Sequence, residues 1–67
     1  MHASLTDSAL NQILRRATLD LSCNIADVSI RDIHPDPYNV NTYIVTVGSR
    51  FGIRYYNVTK RIIITER

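Results

Sequence analysis

The feature that most constrains this chain is a single change of hydrophobic period near Asn24. Before it, Leu5, Ala9, Leu10, Ile13, Leu14, Ala17 and Leu21 recur at steps of three and four, with Asn11, Gln12, Arg15, Arg16 and Asp20 between them. That spacing predicts an amphipathic helix ending near Leu21. Ser4-Leu5-Thr6-Asp7 marks its start: Ser4 or Thr6 can accept from a first-turn amide, and Asp7 suits the positive end of the helix. Its stop is softer, with Asn24 as the residue that best tolerates a left-handed backbone.

After Asn24 the pattern alternates. Ala26, Val28 and Ile30 interleave with Asp27, Ser29 and Arg31, which predicts a half-buried strand over Ile25 to Ile33. His34-Pro35-Asp36-Pro37-Tyr38-Asn39 reads as a loop, because each proline removes a donor and biases its predecessor toward extended backbone. Val40 to Val47 is rich in branched and aromatic residues and predicts a second strand with Tyr43, Val45 and Val47 inward. Gly48-Ser49-Arg50-Phe51-Gly52 reads as a hairpin turn. A third strand follows, with Phe51, Ile53 and Tyr55 expected inward and Arg54 and Tyr56 outward, and Arg61 to Thr65 supplies a short fourth.

The expected fold is therefore a single α+β domain spanning residues 1–67: one N-terminal amphipathic helix packed on a three- or four-stranded antiparallel sheet. One helix can cover only one side of that sheet. The exposed set on the other side would include Asp27, Ser29, Arg31, Thr42, Ile44, Thr46, Arg54, Tyr56 and Arg61.

Composition narrows the chemistry. The chain has 67 residues, of which 45% are hydrophobic and 21% charged, so it is globular, with a core small enough that stability is marginal. Small domains often compensate with disulfides or zinc, but the lone Cys23 can form no internal bridge and no zinc cage. A partner chain, or a second copy in a homodimer, is the remaining route. No run of residues is long and apolar enough to span a membrane, and the opening Met-His-Ala-Ser-Leu-Thr-Asp lacks the basic and apolar regions of a signal peptide. The expectation is a cytoplasmic protein with no membrane association.

Catalytic and ligand-binding motifs are missing from the sequence. His2, His34, Cys23 and the scattered aspartates have no metal-ligand spacing, and no cofactor motif occurs. Cys23 and His34 are the one thiol and imidazole pair to weigh for nucleophilic chemistry, and Cys23 at the end of an apolar helix reads better as a small core residue. Asp32 and Asp36 flank a proline turn that they help to shape. Gly48 and Gly52 lack the spacing of a phosphate loop, and Asn57-Val58-Thr59 is a glycosylation triplet common by chance. These readings point away from an enzyme.

Charge is uneven. Residues 1–33 carry three basic against four acidic side chains, whereas residues 34–67 carry five against two. Arg50, Arg54, Lys60 and Arg61 interleave with Phe51, Tyr55 and Tyr56, as cations and rings do on sheets that bind nucleic acid, although no recognised nucleic-acid motif is present. The leading expectation is a noncatalytic protein-binding module acting through its open sheet face or an unpaired edge strand, with Ile44, Arg54, Tyr56 and Arg61 in contact. In size and plainness such a chain resembles the small accessory and inhibitory proteins that phages and mobile elements encode. One alternative is a nucleic-acid-binding module using Arg50, Arg54, Tyr56, Lys60 and Arg61, whose affinity would fall steeply with salt. Another is a structural subunit of a larger assembly.

Overall fold

A computed structural model describes residues 5–67. It has one helix, α1 (Asp7–Leu21), a short 3-10 turn (Ile25–Asp27), and four strands: β1 (Ser29–Pro35), β2 (Thr42–Ser49), β3 (Gly52–Thr59) and β4 (Ile64–Glu66). The strands form one antiparallel sheet in the order β1-β2-β3-β4, so the chain folds as α+β with its helix packed on a four-stranded sheet. The expected architecture is present, with the fourth strand separate from the third.

α1 begins where the sequence places it. Thr6 is the N-cap, its Oγ1 accepting the Ala9 amide at 3.2 Å, and Asp7 lies in the first turn. Ser4, the other expected cap, lies outside the described residues. The helix ends at Leu21, but Ser22 rather than Asn24 takes the left-handed conformation (φ 53°). Ala9, Ile13 and Ala17 form the buried stripe, and the two alanines leave the helix backbone close to the sheet. Ile13 and Ala17 join Val28, Val45, Val47, Tyr56 and Val58 in one core, with Leu10, Leu14, Leu21, Cys23, Ile30, Ile33, Tyr43 and Ile64 at its margin. Each fully buried Ile or Val contributes about 1.5–3 kcal/mol relative to exposure.

β1 differs from its expected form in three ways, the first being that it runs on through His34 and Pro35, which pair with Ile44 and Tyr43 where a loop was expected. Residues 25 to 27 are not strand: the Asn24 amide donates to Asp27 Oδ2 and the Asp27 amide to the Asn24 carbonyl, which closes a turn and leaves Ala26 exposed. Within the strand, Ile30 pairs with Val47 and Asp32 with Thr46, so Arg31 is an extra residue in a β-bulge. Ile30 and Ile33 therefore both reach the core margin, and Arg31 and Asp32 both turn away from it.

The larger correction concerns β3. Tyr56 is fully buried, whereas Phe51, Ile53 and Tyr55 are 60%, 54% and 50% exposed, the reverse of the expected faces. The hairpin turn causes this. Ser49 pairs with Gly52, so the connection is the two residues Arg50-Phe51, and Val47 and Val45 pair with Arg54 and Tyr56. Even-numbered residues of β3 thereby share a face with odd-numbered residues of β2. A loop longer by one residue would give the opposite assignment, since a one-residue slip turns every side chain over. Ser49 Oγ accepts the Phe51 amide at 2.9 Å, and the positive φ needed to leave the turn falls on Gly52 (φ 148°).

Candidate functional site

The register divides the sheet into two unlike faces. Val45, Val47, Tyr56 and Val58 lie under α1. The opposite face carries Asp32 and His34 from β1, Ile44, Thr46 and Gly48 from β2, Ile53, Tyr55 and Asn57 from β3, and Thr65 from β4. No described element packs over it. Ile53 and Tyr55 stand two residues apart on β3, and Thr46 is the cross-strand partner of Tyr55, with Ile44 one step beyond. These residues make an apolar and aromatic strip along the middle of the uncovered face.

Charged groups border that strip. His34 Nδ1 lies 2.7 Å from Asp32 Oδ2, so that carboxylate is already engaged. Arg31 leaves the bulge and lies across Gly48: a Cβ at residue 48 would stand 2.6 Å from Arg31 Nε. The absent side chain thus seats the arginine, and Gly48 is buried beneath it although its own face is open. On the far side, Arg67 donates from Nη1 to Asn57 Oδ1 at 3.2 Å, which brings its guanidinium to the same face.

The sequence-predicted residues do not converge. Ile44 is on the open face, as expected, although half-buried rather than exposed. Tyr56 is in the core and cannot reach a partner in this fold; its hydroxyl donates to Asp20 Oδ2 at 2.7 Å. Burial, then the bond to Asp20, pushes its phenol well above the usual tyrosine range. Arg54 lies on the helix side, donating to Glu66 Oε2 at 2.6 Å and to the Asp20 carbonyl at 3.3 Å, and the Glu66 bond raises its pKa. Arg61 and Lys60 sit in the β3–β4 turn. Beside them Val40, Asn41, Thr42, Thr59 and Ile63 complete a shallow recess of about 260 Å³.

The basic set expected to meet nucleic acid is divided in the same way. Arg50 is in the β2–β3 turn, where it pairs with Asp27 Oδ1 at 3.2 Å and lies 5.7 Å from the Phe51 ring centre. Lys60 and Arg61 are beyond the other end of β3, whose eight residues extend roughly 25 Å. Arg50 and Arg61 thus stand at opposite ends of the sheet, with Arg54 on its covered side.

Other pairings weighed from sequence are also separated. Cys23 packs at the core margin just beyond the end of α1, whereas His34 is on the open face. Asp36 accepts the Tyr38 amide at 2.8 Å and Asn39 Nδ2 at 3.0 Å, shaping the loop after β1; the Asn39 bond, then that from Tyr38, holds its carboxyl below the usual range. Among the described residues no group of His, Cys, Asp and Glu could hold a metal ion, and no described helix is long and apolar enough to cross a membrane. His2 lies outside the described residues.

Sequence reasoning placed Arg31 on the uncovered side by alternation but missed Ile53, Tyr55 and Arg67 as members of the same surface. It also missed the seat of Arg31 over Gly48, because a glycine opposite a bulge is not encoded in period-two patterning. No protein-family model, no curated protein and no solved structure matches this chain.

Proposed function

We propose that this chain is a noncatalytic protein-binding module whose recognition surface is the uncovered face of its sheet, centred on Ile53 and Tyr55. The observation that carries the reading is the exposure of those two side chains, 54% and 50%, side by side on a central strand whose reverse is sealed by α1. Large apolar side chains clustered on one uncovered face mark interaction surfaces more often than isolated ones do. Tyrosine suits such a role because it buries a large rigid body and keeps a polar tip. The module acts by occupying its partner's surface, which is the mode of an accessory or inhibitory protein.

The test is capture from the native host with nuclease treatment, followed by mass spectrometry, using the wild-type chain and the double variant Ile53→Ser/Tyr55→Ser. A prey retained by the wild type should be lost at least about tenfold in the variant, as when two anchors are removed from an interface. Equal capture by a variant that keeps its circular dichroism spectrum would refute this surface. Gel shifts with generic DNA and RNA at two salt concentrations test the nucleic-acid alternative in parallel, since phosphate contacts give a steep salt dependence.

A further inference from the structure

Resting on that binding reading, we infer that the open face selects a protein segment of acidic and apolar character, with Arg31 and Arg67 as paired charge contacts flanking an Ile44, Ile53 and Tyr55 floor. The argument is charge complementarity. Of the described carboxylates toward this face, Asp32 is engaged by His34 at 2.7 Å, and Asp36, which the charge of Arg67 also reaches, is held by the Tyr38 amide and Asn39 Nδ2. Arg31 and Arg67 make no ion pair among the described residues, while Arg16, Arg50 and Arg54 each have a carboxylate partner. Both guanidiniums reach the same face, Arg31 from the β1 edge over Gly48 and Arg67 from the β4 edge, where it donates to Asn57 Oδ1. Their contacts, Gly48 on β2 and Asn57 on the neighbouring β3, lie four residues apart in register, so the two groups are separated by roughly 14 Å, chiefly along the strands.

Arg31 is also positioned. Its stem lies over Gly48, so the guanidinium is held near the sheet surface beside Ile53, the cross-strand partner of Gly48. An arginine held against a backbone loses less freedom on binding than one free in solvent, and its planar fork matches a carboxylate. A segment placing an acidic residue toward each end of the strip and a large apolar residue between them would meet both guanidiniums and cover the strip. A polynucleotide fits less well, because it presents phosphates at short, regular intervals and needs several cations along one track. Here Arg50, Lys60 and Arg61 are at the two ends of the molecule.

A displayed library of random linear peptides, selected on the folded full chain, tests the inference. Recovered peptides should be enriched in Asp or Glu beside Leu, Ile or Phe. Their affinity should drop about tenfold in Arg31→Ser/Arg67→Ser and also in Ile53→Ser/Tyr55→Ser. A second variant, Gly48→Ala, keeps every charge but adds a Cβ where Arg31 Nε and Cγ now lie, at 2.6 and 3.0 Å. Arg31 is flexible enough to swing aside, so folding should survive while peptide affinity falls several-fold.

Neutral or basic peptides that need Ile53 and Tyr55 but ignore both arginines would overturn the acidic preference and leave the binding module standing. Failure to recover any peptide dependent on Ile53 and Tyr55 would overturn both. A dimer by analytical ultracentrifugation that dissociates in Ile53→Ser/Tyr55→Ser would assign the face to a second copy instead. A gel shift lost in Arg31→Ser/Arg67→Ser would assign it to nucleic acid.

Discussion

The Tyr56 hydroxyl donates a 2.7 Å hydrogen bond to Asp20 Oδ2 and so joins the centre of β3 to the last turn of α1. Tyr56 has no exposed surface, yet its ring ends on a carboxylate at the helix margin that also accepts Arg16 Nε at 3.3 Å. A tyrosine can fill a core in this way because its polar atom is at the far end of an apolar body. The consequence is a core side chain whose packing and polar bond both fix where the helix lies on the sheet.

Replacing Tyr56 with Phe should therefore keep the packing and remove only the bond to Asp20, lowering stability by about 1–2 kcal/mol in urea unfolding. The same bond carries a pH dependence. Because burial and Asp20 raise the folded-state pKa of Tyr56 above its unfolded value near 10, this stabilisation is complete below about pH 10. It is lost as pH rises toward the folded value. Absorbance of tyrosinate at alkaline pH should show one of the four tyrosines ionising only with cooperative unfolding, and that component should vanish in Tyr56→Phe. Ionisation of Tyr56 in a still-folded chain would show that its hydroxyl is accessible.

The register of the β2–β3 hairpin predicts a sharp contrast between neighbours. Tyr55→Ser removes a half-exposed ring from the open face and should cost less than about 1 kcal/mol, whereas Tyr56→Ser opens a cavity under α1 and should cost more than about 3 kcal/mol. Chemical denaturation of the two variants reads the difference directly. Comparable losses, or a larger loss at Tyr55, would mean that the turn holds three residues and that β3 is turned over.

Why the helix was legible and the site was not follows from the same residues. Thr6, Asp7 and the Ala9, Ile13, Ala17 stripe act within a few positions of one another, so local pattern reveals them. Val45 and Val47 were equally plain, because their strand alternates cleanly. In β3, by contrast, aromatic or aliphatic residues occur at 51, 53, 55, 56 and 58, and alternation alone allows either face. The choice rests on whether the preceding turn uses two residues or three, and flanking glycines do not decide that. Alternation put Arg31 on the uncovered side, but its seat was hidden for a related reason: the bulge that aims it exists only in the pairing of Ile30 and Asp32 with successive residues of β2. Gly48, read as a turn residue, is a strand residue whose missing side chain makes room for that arginine.

The β3–β4 turn offers a gain of stability. Ile62 has φ 60°, a left-handed conformation that a β-branched side chain occupies at a cost of about 1–2 kcal/mol. Hydrogen bonds from neighbouring atoms hold it there: the Ile62 amide donates to the Thr59 carbonyl at 2.9 Å, the Thr59 amide to the Ile63 carbonyl at 3.2 Å, and the Ile63 amide to Thr59 Oγ1 at 3.1 Å. None of these uses the Ile62 side chain, and Ile62 is not among the residues packed on the core. Asparagine tolerates the same backbone with less strain, so Ile62→Asn should stabilise the fold by about 0.5–1 kcal/mol and raise Tm by several degrees, about 4–8 °C for each kcal/mol in a domain of this size. Ile63→Asn, one residue further on and without a positive φ, has no strain to relieve and should show no such gain. A fall in Tm for Ile62→Asn on differential scanning calorimetry would show that apolar contact by the isoleucine outweighs the strain of its backbone.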